Sequence, residues 1–301
     1  MIKYYSILTL YCILWALKDV VTRLLLDVTN PVQLTFLLSL FSTVYALIFI
    51  LARTRAKKEE NPYSPKRFSR EITSELFLLS SFSAIAFLCV VYSIADAGPV
   101  LYTLVDNSFY PVFVSILAHV VLREKFPIGM IAGLLVAMVG ILVFQLQALE
   151  GIQVRLSAGI ILAISSSLFY ALSITLIKRV LSKGISPEEV MFYRFLVIDI
   201  LLFLYLLVRA ELSSTSNFWQ IAILAMVGYA LPFYMSFYSL RKVPANIFGM
   251  FFLSVPIFSF IFSALLLPGL TFKTTELLGG GLVFVGLLIG LKASFQVERQ
   301  T

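Results

Sequence analysis

The chain of 301 residues has few charged residues, one histidine and two cysteines. Charged residues make up 13% of it and hydrophobic residues 60%, and the mean hydropathy is +0.98. This balance excludes an ordinary soluble globular domain, whose helices carry charged faces. Cys12 and Cys89 both fall within apolar stretches. We therefore predict that they are small core residues and form neither a disulfide nor a metal site.

Motifs for nucleotide hydrolysis and for catalysis are also missing. The sequence contains no phosphate-binding loop, so ATP hydrolysis by this chain is unsupported. Ser115 and His119 are four residues apart, but no Gly-x-Ser-x-Gly turn accompanies them, and Asp106 and Asp199 lie in no recognisable protease motif. We expect a protein that is not an enzyme and that needs no cofactor or metal.

Apolar runs of about twenty residues, the length that crosses a bilayer as a helix, follow one another along the whole sequence. We predict an all-α integral membrane protein with ten transmembrane helices. The first run lacks a small-residue cleavage motif, so it is predicted to be a retained span and not a signal peptide. The predicted spans are residues 4–25, 31–52, 73–95, 99–121, 127–147, 157–179, 187–209, 217–240, 244–267 and 273–292.

The basic residues predict the orientation of these spans. The net charge of +7 comes from lysines and arginines between the apolar runs, which is the pattern of membrane orientation and not of a nucleic-acid-binding face. With the N-terminus in the cytoplasm, 17 of the 23 basic residues fall on the cytoplasmic side and 4 on the outer side. The positive-inside rule therefore places both termini in the cytoplasm.

The second half of the sequence repeats features of the first half at matched spacing. Each half has two prolines twelve residues apart, followed by a pair of glycines in the next span: Pro99, Pro111, Gly133 and Gly140 in the first, and Pro244, Pro256, Gly279 and Gly286 in the second. We predict two five-helix repeats, residues 1–150 and 151–301. Because five is odd, the second repeat would be inverted in the membrane, an architecture of secondary transporters with the substrate site at the repeat interface.

Short motifs add a family resemblance that spans nearly the whole chain. They are Leu14-Trp15 in the first span, Tyr92-Ser93 closing the third, Tyr110-Pro111 in the fourth, and Arg123-Glu124-Lys125 after it. With these motifs the chain resembles the drug/metabolite transporter superfamily and, within it, the EamA-like exporters. The resemblance implies five plus five helices, and export as the direction of transport. It also implies a dimer surface on the fifth and tenth helices; the sequence leaves monomer or homodimer open.

Polar residues inside the spans are the candidates for substrate binding, because a membrane helix carries such residues where they face protein or water. Lys18 needs a partner or an anionic group of the substrate. Asp106 could neutralise Lys18 as a fixed bridge between helices, bind an ammonium group, or take up a proton. The full candidate set is Trp15, Lys18, Tyr102, Asp106, Asn107, Tyr110, Tyr170, Asp199, Tyr234 and Asn246.

Three residues are candidates for proton coupling: Asp106, Asp19 and His119. Asp19 also has a structural alternative, since it precedes Arg23 by four residues, the favourable spacing for an ion pair within a helix. His119 has the alternative of an interfacial histidine, one turn before the basic residue Arg123. Arg194 is expected to extend its side chain to the cytoplasmic interface, which leaves Asp199 as the better candidate in the seventh span.

These observations predict a multi-pass protein of the cell membrane with the lipid bilayer and a small-molecule substrate as partners. The leading function is a secondary transporter that moves an amino acid or a related amphipathic metabolite by alternating access, with a proton as a candidate coupling ion. The alternatives are a carrier of sugar phosphates, nucleosides or cationic drugs, and a membrane receptor or accessory subunit without transport.

Overall fold

The computed structural model describes residues 2–26, 30–60, 70–97, 99–145, 158–209, 217–266 and 274–299, and this part of the chain is helical without strands. A π-helical turn, Ala225–Ala230, lies between the α-helical segments Phe218–Leu224 and Leu231–Leu240. The helices are α1 Ile2–Leu26, α2 Pro31–Glu60, α3 Arg70–Ala97, α4 Pro99–Leu122, α5 Ile128–Gln145, α6 Ala158–Ser182, α7 Pro187–Arg209, α8 Phe218–Leu224, α9 Leu231–Leu240, α10 Ala245–Phe252, α11 Val255–Leu266 and α12 Thr274–Arg299.

Seven helical segments of the described chain are long and apolar enough to cross a membrane, beginning with Val32–Arg55 and ending with Leu277–Gln296. Large apolar side chains on their outer surfaces are exposed, for example Phe77 at 66%, Val120 at 67% and Val208 at 83%. Exposed apolar surface of this extent is typical of helices that contact lipid. The all-α membrane class is confirmed, whereas the count of ten spans and the position of the termini stay predictions.

Helix starts follow from local sequence. Asn30 precedes α2 and accepts the Val32 backbone N–H on its side-chain oxygen at 2.9 Å, which is the bond of an N-cap. Before α7, Ser186 and Glu189 form a capping box: the Ser186 N–H donates to the Glu189 carboxylate at 2.8 Å, and the Glu189 N–H donates to the Ser186 hydroxyl at 3.3 Å. Pro187 stands between them at the first helical position, where its missing N–H leaves no bond unmade.

The two matched prolines have different consequences. Pro111 lies within the continuous helix α4, whereas the predicted span 244–267 is divided at Leu253–Ser254 into α10 and α11, just before Pro256. At this break the Ser254 hydroxyl donates to the Phe251 carbonyl at 2.7 Å. A proline cannot donate the backbone bond that a continuous helix requires, so Pro256 leaves the Phe252 carbonyl without the donor that another residue would supply.

Helix contacts occur in corresponding pairs in the two halves. The contact of α3 with α6 corresponds to that of α1 with α9, and the contact of α4 with α6 corresponds to that of α1 with α11. The most extensive contact joins α5 to α12, which are the predicted last helices of the two halves. This pattern is the one a duplicated chain would produce, although the division at residue 150 stays a prediction.

Glycines make the α5–α12 contact possible. A Cβ atom built on Gly133 would lie 2.5 Å from the Gly286 carbonyl oxygen, and one on Gly286 would lie 2.5 Å from the Gly133 carbonyl oxygen. Gly140 is equally confined, with the Val283 backbone nitrogen 2.6 Å from the corresponding position. Only residues without a side chain permit this separation of two helix backbones. The close packing predicted for these glycines therefore lies within one chain.

We predict that Gly133→Ala destabilises the protein by about 1–3 kcal/mol, because the added methyl group collides with backbone that cannot move without separating α5 from α12. The measurement is the thermal unfolding midpoint of the purified protein in detergent. Gly281→Ala is the matched control, since a Cβ atom there would meet no atom within 4 Å. Equal midpoints for the two variants would contradict the packing described here.

Candidate functional site

Six aromatic side chains from five helical segments meet around Trp15. The Trp15 ring centroid lies 5.0 Å from that of Phe233, 6.1 Å from that of Tyr229 and 6.2 Å from that of Phe252. On the far side of Phe252, the Tyr110 ring packs edge-on at 5.0 Å. Tyr11 completes the group, 5.7 Å from Trp15 on α1. We call this set the aromatic cluster: Tyr11, Trp15, Tyr110, Tyr229, Phe233 and Phe252.

Lys18 lies against one edge of the aromatic cluster. It is buried, and its Nζ atom is 3.8 Å from the Trp15 ring centroid and 4.8 Å from that of Tyr229, which are cation–π contacts. Gly228, which lies in the π-helical turn Ala225–Ala230, leaves room for the lysine stem, because a Cβ atom there would lie 2.7 Å from Lys18 Cγ. Single π-helical turns inside α-helices often occur at functional sites.

Arg194 on α7 approaches the aromatic cluster from another side. Its guanidinium carbon lies 4.5 Å from the Phe233 ring centroid, 5.7 Å from that of Phe237 and 5.8 Å from that of Tyr170. The residue is only 5% exposed. The expectation that this side chain reaches the membrane interface is therefore wrong: the rings of α6 and α9 enclose it.

Asp106 on α4 is held by α6. The Ser167 hydroxyl donates to its Oδ1 atom at 2.8 Å. Tyr110 follows Asp106 by one helical turn and Tyr170 follows Ser167 by one turn, so the two tyrosines lie on the same faces of α4 and α6 as the hydrogen-bonded pair. Because Tyr170 also contacts Arg194, a half-buried acid and a buried base border the same region.

Asp199 lies on α7 but faces α2 and not the aromatic cluster. It is buried, and the Thr43 hydroxyl donates to its Oδ2 atom at 2.5 Å. Among the described residues, its buried Oδ1 atom has no hydrogen-bond partner. Asp199 was predicted from the sequence to bind substrate. The described hydrogen bond of its carboxyl group is made with α2 and not with the aromatic cluster.

Asn246 and His119 belong to a polar junction around Glu124 in the α4–α5 linker. The Glu124 carboxylate accepts the backbone N–H groups of Ala245 at 2.9 Å and Asn246 at 3.2 Å, which caps the start of α10. The Asn246 side chain donates to the Lys125 carbonyl at 3.0 Å. Burial raises the pKa of the Glu124 carboxyl, an effect that the two backbone bonds oppose. His119 is exposed, with its Nδ1 atom 2.9 Å from the Glu124 carbonyl oxygen.

Ion pairs connect helices at this same end of the bundle. The Glu75 carboxylate lies 2.6 Å from the Arg179 side chain and 2.8 Å from Lys183 Nζ, so α3 is linked to α6. Arg53 pairs with Glu188 at 2.9 Å, which links α2 to α7. Hydrogen bonds to Glu71 and Glu75 raise the pKa of Lys183. We call these contacts, together with the Glu124 junction, the ion-paired end.

The predicted site residues therefore separate into groups. Trp15, Lys18 and Tyr110 meet in or beside the aromatic cluster, and Asp106 and Tyr170 lie next to it. Tyr234 instead packs on Phe49 at 5.8 Å, on the side facing α2. Tyr102 is half-buried and Asn107 is buried in α4. The side chain of Asp19 lies outside the described residues. All substrate-binding and proton-coupling roles stay predictions.

From the sequence, Arg194 was expected at the membrane interface, and the phenylalanines of the aromatic cluster were not among the candidates. Phe233 and Phe252 look like ordinary lipid-facing or core residues in an apolar span. One signal was present: Arg194 stands between aromatic neighbours, Tyr193 and Phe195, inside an otherwise apolar stretch.

The apolar helices define a multi-pass membrane protein. The family model of the EamA-like transporter family matches residues 2–146 and again residues 157–291. The chain belongs to this family and is a membrane transporter, which agrees with the expectation that it is not an enzyme.

Two individual comparisons agree with this membership. An uncharacterized transporter of Archaeoglobus fulgidus is 25% identical over 291 residues, which cover 95% of this chain and 98% of that protein. A solved crystal structure shares the fold with a TM-score of 0.78 at 14% sequence identity, and the match covers 97% of each chain. At this identity the likeness to the crystal structure shows the fold alone.

We predict that Gly228→Ala moves Lys18 away from the Trp15 ring, because the new methyl group would occupy the space of the lysine stem. The measurement is the fluorescence of Trp15 in a Trp219→Phe background, which leaves a single tryptophan. Loss of the ammonium group from the ring face should change the emission intensity and wavelength. The same substitution at Gly281 serves as control; an unchanged Trp15 spectrum in Gly228→Ala would contradict the contact.

Proposed function

We propose that this protein is a secondary transporter that exports a small amphipathic metabolite, with an amino acid as the leading class, by alternating access. The proposal rests on one observation: charges of both signs, the half-buried Asp106 and the buried Lys18 and Arg194, border the aromatic cluster. A zwitterionic amino acid has a positive group, a negative group and an apolar side chain. The acid, the basic residues and the aromatic rings of this site complement these three parts. Buried polar groups rarely occur inside a membrane layer without a functional reason.

The two stretches matched by the family model support the division into repeats of residues 1–150 and 151–301. The corresponding helix contacts of the two halves support it as well. With five spans each, the repeats would be inverted, and both termini would lie in the cytoplasm. The aromatic cluster takes Trp15 and Tyr110 from the first repeat and Tyr229, Phe233 and Phe252 from the second, which is where inverted-repeat carriers bind substrate.

Alternating access requires that one end of the bundle close while the other opens. The ion-paired end, which would face the cytoplasm in the predicted orientation, is closed by Glu75 with Arg179 and Lys183 and by Arg53 with Glu188. Breaking these pairs would let α3 and α6 separate and admit solute from that side. Asp106 is the proposed proton carrier, because its neighbour Ser167 can donate a hydrogen bond to the carboxylate and accept one from the protonated acid.

Sugar phosphates are the second candidate class, since Lys18 and Arg194 are two buried cations beside one cluster. Nucleosides and cationic drugs are further alternatives, and a cationic drug would depend on Asp106 but not on the two basic residues. Uptake of each class in the same assay separates these possibilities.

The test is counterflow in proteoliposomes that contain a pool of unlabelled amino acids, with labelled amino acids added outside. We expect saturable uptake that Asp106→Asn lowers by about tenfold or more, because the variant loses a charge-assisted interaction. Asp96→Asn is the matched control: the exposed Asp96 accepts the Gly159 N–H at 2.6 Å, and asparagine keeps that acceptor. If no amino acid is taken up, amino acids are excluded as the substrate class. Uptake of phosphorylated sugars alone would favour the second candidate class.

We further predict that Glu75→Gln weakens the closed end, because it removes the carboxylate shared by Arg179 and Lys183. In the same proteoliposomes, cysteine pairs introduced across α3 and α6 at this end should crosslink less readily than in the parent chain. Glu71→Gln is the control, since Glu71 is 64% exposed at its side chain and its pairs are screened by water. Unchanged crosslinking in Glu75→Gln would contradict a gating role.

A further inference from the structure

Arg194 presents an electrostatic problem that its contacts do not solve. A guanidinium stays protonated in proteins, so burial cannot neutralise it as it can a lysine or an acid. The residue is 95% buried, and its contacts are the ring faces of Phe233, Phe237 and Tyr170, with the Phe195 ring 6.0 Å away. Cation–π contacts offset only part of the desolvation of a full charge.

No carboxylate of the described residues pairs with this guanidinium. The titratable side chains nearest to it are those of Tyr170, Tyr11 and Tyr110, whose hydroxyls are neutral. Asp199 follows Arg194 by five residues on the same helix, but its carboxyl group receives its hydrogen bond from Thr43 on α2. Removing a partner from a buried charge is strongly destabilising, so a buried cation in this setting needs an anion from elsewhere.

We propose that Arg194 binds the carboxylate of the transported solute, with the rings of Phe233 and Tyr170 against its guanidinium. This inference rests on the proposed function and specifies it, because it assigns the anionic group of the substrate to Arg194 and not to Lys18. An arginine stacked on an aromatic face keeps its in-plane N–H donors, and their fork matches the two oxygens of a carboxylate.

The surroundings favour a carboxylate over a phosphate. One guanidinium among neutral phenol and phenyl rings balances one negative charge, whereas a phosphate monoester carries nearly two at neutral pH. Lys18 Nζ sits over Trp15 and Tyr229, away from the Phe237 and Tyr170 faces that enclose Arg194. The apolar part of the solute would then lie along the aromatic cluster.

The experiment measures binding to the full chain in detergent through Trp15 fluorescence, with Trp219→Phe as background. Trp15 packs on Phe233, the ring nearest to Arg194, so an occupant of this site should alter its emission. The probes are L-leucine, 4-methylpentanoate, which lacks the ammonium group, 3-methylbutylamine, which lacks the carboxylate, and glucose 6-phosphate. We expect saturable changes with leucine and 4-methylpentanoate and none with 3-methylbutylamine.

Two substitutions test the residue itself. Arg194→Gln should weaken the binding of both carboxylate probes by about tenfold or more, because a charge-assisted pair is lost. Arg194→Lys keeps the positive charge but loses the paired N–H donors of the guanidinium, so it should weaken the binding of the same probes by a smaller factor. This variant tests the inference if the glutamine variant does not fold. Arg209→Gln, at the exposed end of the same helix, should bind as the parent does.

Three results would overturn the inference: wild-type affinity for leucine in both Arg194 variants, binding of 3-methylbutylamine as tight as that of leucine, or tighter binding of glucose 6-phosphate than of any carboxylate.

Counterflow separates a failure of this inference from a failure of the proposed function. Transport of amines or sugar phosphates without carboxylate binding overturns the role of Arg194 and leaves the carrier intact. Carboxylate binding that depends on Arg194, without transport of any solute, would support the binding site and contradict the proposed transport function.

Discussion

The energetic cost of a charge in an apolar layer governs how this protein is arranged. Asp106, Lys18 and Arg194 offset this cost through different contacts. Asp106 receives a hydroxyl hydrogen bond from Ser167, and Lys18 rests on two aromatic faces. Arg194 lies against the rings of Tyr170, Phe233 and Phe237. The aromatic side chains therefore do more than fill space, since their faces are the surroundings in which two cations can stay buried.

The two ends of the bundle and the contact between halves depend on different forces. At one end, carboxylates bind basic side chains and backbone N–H groups across helix boundaries, and such contacts can be exchanged for water when helices separate. The α5–α12 contact depends on backbone proximity that only glycine permits, and it has no polar substitute. An alternating-access carrier needs both kinds of contact: a breakable one at a gate and a permanent one that holds the halves together.

Much of the fold follows from the sequence, because the requirement to cross an apolar layer sets helix length and prolines mark helix starts. The described helices overlap the predicted apolar runs, but α2 and α12 extend beyond them, a π-helical turn interrupts the span 217–240, and the span 244–267 is divided into α10 and α11. Pro111 and Pro256 show why this division could not be predicted: their spacing in the two halves is the same, but one helix continues and the other breaks. Whether a proline interrupts a helix depends on what neighbouring groups satisfy the freed carbonyl, which is a tertiary property.

The sequence by itself determined the class of protein, its family and the identities of its intramembrane polar residues. The tertiary structure alone decided which of these residues meet, because the direction of each side chain depends on how helices rotate against one another. Trp15, Lys18 and Tyr110 lie in or beside the aromatic cluster. Asn246 and His119 instead contact the Glu124 junction, and Asp199 faces α2. Arg194 gained its importance only in three dimensions, since a sequence gives no sign that aromatic rings from α6 and α9 close over it.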